Sequence, residues 1–406
     1  MIVLLVGSGG REHALAWKLA QSPDLEELHA APGNPGIDRL GRCHPIRMDD
    51  VEGLLGLCRE HAIDLVVIGP EAPLVAGVAD HLRRAGVSVF GPGAEAARIE
   101  GSKAFAKEVM RSAGVPTAME LSEPRAPCVV KADGLAAGKG VFVCRTQAEA
   151  DEGWRRASAF GGDVVIEELL EGEEASLFVM TDGADILPLA PAQDFKRLRD
   201  GDEGPNTGGM GSYSPVPFLD PDQVDELVER VHRPVIEELA SRGTPFVGLL
   251  YAGLMLTDDG ARVLEFNCRF GDPETQAIVP RLEGHFLGAL AASAAGALDG
   301  ANLSAGPQAA VTVVVAAGGY PEDPRTGAPI SGIDEAESAG ALVFHAGTAL
   351  RDGGLVSAGG RVLDVTGLGE SIQEARDRAY DALDRIDLPG AQFRTDIAMK
   401  GLRVPG

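Results

Sequence analysis

The chain has little of what would send it to a membrane, a nucleic acid or an oxidising compartment. Cysteine is scarce: five residues in 406, at positions 43, 58, 128, 144 and 268, with no CxxC pair. An odd count without cysteine metal spacing excludes a disulfide framework and points to reduced thiols in a cytoplasmic protein. Basic charge is scarce as well, since 36 Lys and Arg against 61 Asp and Glu leave a formal charge of −25. That excludes the broad basic surface that nucleic acid or an anionic membrane demands. No apolar run approaches a membrane span. Met1 runs straight into the apolar Ile2–Val6, which leaves no room for a basic leader region. No Ser, Cys or His stands in a recognisable nucleophile motif. An anionic substrate must then be met locally, by amide N–H groups, individual Lys or Arg residues, or a metal.

Glycine, by contrast, is abundant, with 53 residues clustered between strand-like runs. The length predicts two to four domains. The most informative stretch is Val263–Glu274. It alternates as a strand, with Leu264, Phe266, Cys268 and Phe270 on one face and Glu265, Asn267 and Arg269 on the other. A carboxylate beside an amide carbonyl suits magnesium carrying substrate phosphates, and a guanidinium two residues on suits a carboxylate or phosphate.

The N-terminal part repeats strand, glycine turn and helix. Ile2–Val6 leads into Gly7-Ser8-Gly9-Gly10 and a helix from about Arg11 to Ala20, an anion site at a helix N-terminus. A dinucleotide fingerprint fails, because Glu12 stands where its third glycine belongs and no ribose-binding acid ends the second strand near Leu28–Ala31. Strands at Leu65–Ile68 and Val87–Phe90 follow, so residues 1 to about 95 predict an open parallel sheet. Asn34, Gly36 and Glu71 lie at the strand ends that line its crevice.

A helix is expected over Ile99–Met110, with Lys103 near its start. Cys128–Val143 reads as two strands joined by a glycine- and lysine-rich loop. It is not a P-loop, since Gly140 occupies the Ser/Thr position and a strand follows. Such a hairpin can close over nucleotide phosphates while Lys131 reaches an oxygen. Val164–Leu170 is a strand ending in acids, and Glu173–Ser176 leads into another. Gln193–Gly211 reads as a long polar loop that orders on ligand binding. Asp220-Pro221 starts a helix whose stripe Val224, Leu227, Val228, Val231, Val235 and Leu239 is core. Phe246–Leu256 is a buried strand that pairs with 262–268. Beyond about residue 305, Val311–Ala317, 342–345 and 361–366 are strands. A capping box of Ser371 and Glu374 opens a helix to about Ile386.

A glycine hairpin, strand-end acids and then a Glu-x-Asn strand is the order of parts in the ATP-grasp fold. The segments GSGGREHALAW, APGNPG, GPEAPLVAGV, EGSKAF, KADGLAAGKGV, GPNTGGMGSYSP, EFNCRFGDPETQ and VFHAGT closely resemble the glycinamide ribonucleotide synthetase family, over Met1 to roughly Asp396. The resemblance implies an α/β and α+β multidomain chain. It comprises a substrate-binding open parallel sheet at 1–99, an ATP-grasp centre of two α+β subdomains at 100–305 with a mobile lid at 118–180, and a small α+β domain at 306–406. It implies ligation of glycine to 5-phosphoribosylamine with ATP and Mg2+ or Mn2+, through glycyl phosphate, by a cytoplasmic enzyme without nucleic-acid or membrane partners; a monomer is expected.

Residue by residue, the resemblance assigns the metal to Glu265 and Asn267. It assigns ATP to Lys103, Lys131, the cover Asp133, Gly134, Gly138, Lys139 and Gly140, the hinge Glu167, Glu168 and Leu169, and the ribose carboxylate Glu174. The glycine and transfer chemistry falls to Arg269, Asp194, Lys196 and the loop Asn206, Thr207, Gly208, Gly209 and Met210. Phosphoribosylamine would meet Gly9, Gly10, Arg11, Asn34, Gly36 and Glu71, with Asp272 also at the substrate. Phe195 departs from the family resemblance, where many members carry histidine, so a polar contact at that position cannot be essential here unless another residue supplies it. The connector between Met119 and Pro127 is also short, which should trim a surface helix and leave the ATP site untouched.

Overall fold

A computed structural model describes residues 1–135 and 140–402. The first sheet contains β1 (Ile2–Gly7), β2 (Glu27–Pro32), β3 (Arg42–Cys43), β4 (Leu65–Ile68) and β5 (Ser88–Phe90), all parallel, in the order β3-β2-β1-β4-β5. Helices α1 (Gly10–Leu19), α2 (Val51–Glu60), α3 (Glu71–Val75) and α4 (Val78–Arg84) connect the strands. This is the expected open sheet, with the short edge strand β3 added. Leu4 and Val6 pack on one face while Val3 and Leu5 pack on the other, which is why β1 is apolar throughout. The strand order reverses between β1 and β4, so their carboxyl ends part and open a crevice at Gly7–Gly10 and Gly69–Glu71.

The single helix expected over Ile99–Met110 is two, α5 (Ala94–Gly101) and α6 (Lys103–Ala113). Ser102 is extended between them, with φ −144° and ψ 117°, and its Oγ accepts from Phe105 N at 3.2 Å. The apolar periodicity runs on across the break, so only the capping serine could have disclosed it.

The second sheet is β7-β6-β8, from β6 (Cys128–Ala132), β7 (Val141–Cys144) and β8 (Val164–Glu168), covered by α7 (Gln147–Ser158). The third is antiparallel, β10-β9-β15-β16, from β9 (Glu173–Asp182), β10 (Ile186–Pro188), β15 (Val247–Thr257) and β16 (Gly260–Asn267). Against it lies α8 (Pro221–Ser241), capped by Asp220, whose carboxylate accepts from Gln223 N at 2.8 Å. Its apolar stripe is buried as expected.

The alternation expected along 263–270 is broken. A bulge lies between the Gly253–Glu265 and Leu254–Val263 pairs, leaving Leu264 the extra residue. Val263, not Leu264, therefore joins Phe266 and Cys268 in the core. Phe270 lies past the strand end in a different cluster.

The polar stretch 193–211 is not a structureless loop. It holds β11 (Gln193–Asp194), the hairpin of β12 (Arg197–Arg199) and β13 (Glu203–Asn206), and then β14 (Gly211–Ser214). The chain continues through α9 (Glu274–Ile278), β17 (Leu282–Gly284), α10 (Phe286–Ala295), β18 (Leu303–Ala305), β19 (Ala309–Ala316), α11 (Ile333–Ser338), β20 (Leu342–His345), β21 (Thr348–Arg351), β22 (Gly354–Ser357), β23 (Arg361–Gly369) and α12 (Ile372–Leu383). The last large sheet runs β11-β14-β19-β23-β20, drawing strands from both sides of residue 305. Asp200 accepts from Thr395 N at 2.8 Å and Arg394 bonds Asp202 at 2.8 Å, so the hairpin is fastened to the C-terminal segment. Helix α12 ends at Leu383, short of Ile386. Its expected box is half made: Ser371 Oγ accepts from Glu374 N, but Glu374 accepts from Glu370 N instead.

Candidate active site

The crevice is built where β16 ends between the first, second and last sheets. Glu265 and Asn267 are two apart on β16, opposite Gly253 and Tyr251, so their side chains share a face. Among the described residues, the hydrogen bonds of the neighbouring Lys131, Lys196 and Arg269 go to other partners and leave this carboxylate and amide uncommitted. Two free oxygen donors on one face fit a hard divalent cation.

Cations converge here from separate elements. Lys131, on β6, donates to Leu264 O at 3.0 Å and pairs with Glu167 at 2.5 Å. Lys107, on α6, takes the other Glu167 oxygen at 2.5 Å. Glu167 is therefore a buried counter-ion for two lysines, a function its expected place in an adenine hinge did not suggest. Glu168 is engaged as well: its carboxylate accepts from Met119 N at 2.8 Å, and its own N–H donates to Met119 O. Leu169 lies just beyond the strand.

Lys103 is the first residue of α6. Its Nζ donates to Gly134 O at 3.0 Å, while Asp133 accepts from Lys103 N at 2.5 Å and from Ser102 Oγ at 3.1 Å. The carboxylate of Asp133 thus caps α6 and ties the hairpin to it. Burial pushes the Lys103 ammonium down, against the pull of Glu265. Gly138 and Lys139 lie outside the described residues.

Lys196 bonds Glu174 at 2.7 Å and Asp194 at 2.9 Å. Burial would lower its pKa, but the two carboxylates outweigh burial and hold the ammonium well above the usual range. Glu174 is therefore paired through one oxygen, Oε2, which leaves its other oxygen as an acceptor. Asn206 donates to Val141 O at 3.3 Å, bridging β13 to β7. Thr207 Oγ1 donates to Lys196 O and accepts from Gly209 N, and Gly208 N donates to Tyr320 Oη at 3.0 Å. Met210 is fully buried. Gly209, at φ +106°, has Pro273 pressed where a Cβ would stand.

Arg269 is more committed than expected. Its Nε reaches Glu71 at 3.2 Å, one terminal nitrogen reaches Glu100 at 2.8 Å and the other donates to Phe270 O at 3.1 Å. A free bidentate fork is not what the structure presents. Glu71 feels burial, which raises its pKa, but Arg269 and Arg11 prevail and bring it to about 2.

Among the N-terminal candidates, Asn34 spends its whole amide on the protein. Its Nδ2 donates to Ser8 O at 2.9 Å and His345 O at 2.8 Å, and its Oδ1 accepts from Gly36 N and Ile37 N at 2.9 Å. It ties the glycine turn to β20 and has no side-chain capacity left for a substrate. His13 and His345 fill the space where a side chain on Gly36 would go, and Asp364 fills it at Gly10. Gly9 N donates to Glu12 at 2.6 Å, and Arg11 bonds Glu12 at 2.5 Å and Phe270 O at 3.1 Å. These residues meet at the crevice, but largely as partners of one another.

Sequence reasoning missed Glu100, Glu12, Lys107, Gln276, Arg361 and Asp364. Arg361 pairs with Asp272 at 2.8 Å, and Gln276 donates to Asp272 and Asp364, each at 2.8 Å. Burial first, then the charge of Asp272, pushes Asp364 up to about 7. Glu274 is raised to about 7 by burial and by Asp194. No motif signals these groups; Lys107, Glu100, Arg361 and Asp364 are defined by partners far away in sequence. Glu100, just before the Ser102 cap, was the nearest to legible.

Three family models match in succession: the N domain of phosphoribosylglycinamide synthetase over residues 1–100, its ATP-grasp (A) domain over 101–275 and its C domain over 310–400. The chain is similar to the phosphoribosylamine–glycine ligase of Streptomyces coelicolor, 54% identical over 98% of this chain and 99% of that one. It is 48% identical to the Rhizobium meliloti enzyme of the same name, over 99% of each. The crystal structure of phosphoribosylamine–glycine ligase from Thermotoga maritima superposes with a TM-score of 0.84 at 36% identity, covering 98% of this chain and all of that one. A biotin carboxylase domain from Hydrogenobacter thermophilus, solved with MgADP, shares the fold alone, at a TM-score of 0.70 and 17% identity over 97% of this chain and 91% of that one.

Proposed function

The chain belongs to the phosphoribosylglycinamide synthetase family, and on that premise we propose that it joins glycine to 5-phospho-β-D-ribosylamine, with ATP consumed to ADP and phosphate. The observation that carries the reading is the convergence of Lys103, Lys131 and Lys196 on the Glu265 end of β16, in a chain of net charge −25. Ammonium groups gathered at one crevice of an acidic protein mark where a polyanion is received.

A carboxylate is a poor acyl donor because its leaving group would be oxide. Transfer of the γ-phosphoryl group to glycine gives glycyl phosphate, and the amine of phosphoribosylamine then displaces phosphate from the acyl carbon. The chain's contribution is positioning and charge compensation. Lys131 and Lys103 meet the phosphates from β6 and the start of α6. Lys196, kept charged by Asp194 and Glu174, faces the transferring group from the other side. Arg269 has two N–H groups beyond its three bonds, enough for a single contact to the glycine carboxylate. Glu265 and Asn267 would hold Mg2+ or Mn2+, which supplies further neutralisation of phosphate charge when bound. The segment 118–180 closes over the nucleotide and, with Asn206–Met210, keeps water from the acyl phosphate. At the glycine turn, where Gly9 N is already bonded to Glu12, Gly10 is left to offer its backbone N–H to the sugar phosphate. A cytoplasmic monomer is the setting.

ADP release with glycine and freshly made phosphoribosylamine tests the whole. Release must require both substrates, and glycine labelled with heavy oxygen must pass one oxygen to phosphate per turnover. An ATP-grasp ligase with a different acceptor is the rival, and faster turnover with another amine in a panel would establish it instead.

A further inference from the structure

We propose that His29, His44 and His61 form a binding site for a late first-row divalent cation, Zn2+ foremost, at the outer edge of the first sheet. Their ligand atoms all lie within 4.8 Å of one another. His29 Nδ1 is 2.9 Å from His44 Nε2, and the His61 ring stands 4.4 Å from that of His29 and 5.3 Å from that of His44, centroid to centroid. Three imidazoles suit zinc, copper or nickel, and leave a fourth position for water.

The cluster is built, not incidental to one element. His29 is in β2, and its ring is almost wholly enclosed. His44 follows β3 and is fixed by its own N–H, which donates to Ala30 O at 2.8 Å. His61 ends α2, its N–H donating to Leu57 O at 3.1 Å. Each ligand therefore stands on a separate, hydrogen-bonded stretch of backbone. The second nitrogen of His29 lies 3.1 Å from Glu27 Oε2, the carboxylate–imidazole arrangement that orients a metal-binding histidine. Zinc–nitrogen bonds of 2.0–2.1 Å in a tetrahedron put nitrogens about 3.3 Å apart. The His29–His44 pair needs to open by only a few tenths of an ångström. His44 and His61 are half-buried and give an entry path. Glu27 and Glu60 offset the added charge locally, against Arg42. Nothing in the ligation chemistry uses these residues, and the spacing matches no sequence motif.

Full-length protein, stripped with chelator and free of nucleotide, is titrated with Co2+ and followed by visible absorption. Zn2+ is then measured by competition with a chromophoric chelator. Uptake of one equivalent with the intense bands of tetrahedral cobalt is expected, whereas an oxygen-ligated site gives only weak bands. His44→Gln should abolish the bands, Glu27→Gln should weaken Zn2+ binding about tenfold, and His285→Gln, an exposed control, should change nothing. Zn2+ should raise the melting temperature of the parent protein and not that of His44→Gln. Ligase activity with Mg2+ in each variant reports that it is folded. Wild-type and His44→Gln proteins with the same Co2+ spectrum and the same Zn2+ affinity, or a wild type showing no tetrahedral bands, would overturn the site. If His44→Gln fails to fold, the Glu27→Gln affinity alone decides it: unchanged affinity overturns the proposal.

Discussion

The two walls of the crevice are held by different forces. The β16 end is clamped from three sides: Arg269 to Glu71 and Glu100, Arg361 to Asp272, and Asn34 to His345. These pairs are largely buried and join parts of the chain that are distant in sequence, so pulling this wall apart would strand charges away from water. The opposite wall, β6 to β8 with α7, has a small core centred on Val130, Ala150 and Ile166. It meets the first wall through Lys131 to Leu264 O and Lys103 to Gly134 O, beside the buried Lys107–Glu167 pair and the Asp133 cap on α6. Lysine contacts to carbonyls are exchangeable for contacts to phosphate. On the proposed function, rigidity would belong to the side of the metal and acceptor and closure to the side of the nucleotide.

The harshest test of that division is Glu265→Ala. If the β16 face is a preformed ligand set, its loss should lower kcat/KM at least a thousandfold, about 4 kcal/mol. The fold should stand, since Glu265 bonds none of the clamping groups. Near-normal turnover in a folded variant would end the assignment. Lys131→Met comes next. A lysine that swaps Leu264 O for phosphate should cost about a hundredfold in turnover, roughly 3 kcal/mol. Melting should change little, because Glu167 keeps Lys107. An equal loss in melting and in turnover would make Lys131 a strut.

A third test concerns the clamp itself. Asp364 has one oxygen without a partner, and its pKa is raised from 3.8 to about 7 by burial and by Asp272. A carboxyl raised in the fold binds its proton more tightly folded than unfolded. Stability from this group is therefore complete at acid pH and falls as pH rises from about 4 through 7. Asp364→Asn, a mimic of the neutral form, should be more stable than the parent at pH 8, by on the order of 2 kcal/mol. That advantage should shrink as pH falls below 7 and vanish only near pH 4. Equal stabilities at both pH values would mean that Asp364 ionises without cost.

Legibility in the sequence follows the same division. The second wall was readable because hairpin, strand and lysine are local patterns: β6, β7 and β8 stand where the apolar runs and the glycine loop placed them. Glu265 and Asn267 were readable because a strand puts residues two apart on one face. The bulge at Leu264 was not, because an extra residue leaves composition unchanged and only a partner strand defines it. The clamp was illegible for the same reason. Arg269 seemed free to grip glycine until Glu71 and Glu100 came in from elsewhere in the chain. The stretch 193–211 was misread because its order comes from Arg394 and Thr395, nearly two hundred residues away.

The gentlest test lies between two candidate catalytic residues. Phe195 separates Asp194 from Lys196, yet alternation sends those two into the crevice and Phe195 the other way, into the core of the last sheet. Its ring is 2% exposed, lies 6.2 Å from that of Tyr213, and has the Arg394 guanidinium 4.8 Å from its centroid. Phe195→His, the residue that the resemblance to the family implies at this position, should leave kcat/KM within about twofold, since the chemistry is reached by the neighbours. Stability should drop by about 1 kcal/mol, from lost apolar burial and a weakened cation–π contact. A buried imidazole beside Arg394 is held below its unfolded pKa of about 6.5, so it costs most where the unfolded chain is protonated. The melting gap between variant and parent should therefore widen as pH falls from 8 to 5.5. A tenfold change in kcat/KM with unchanged melting would place residue 195 in the site, and the division between core face and crevice face at β11 would have to be redrawn.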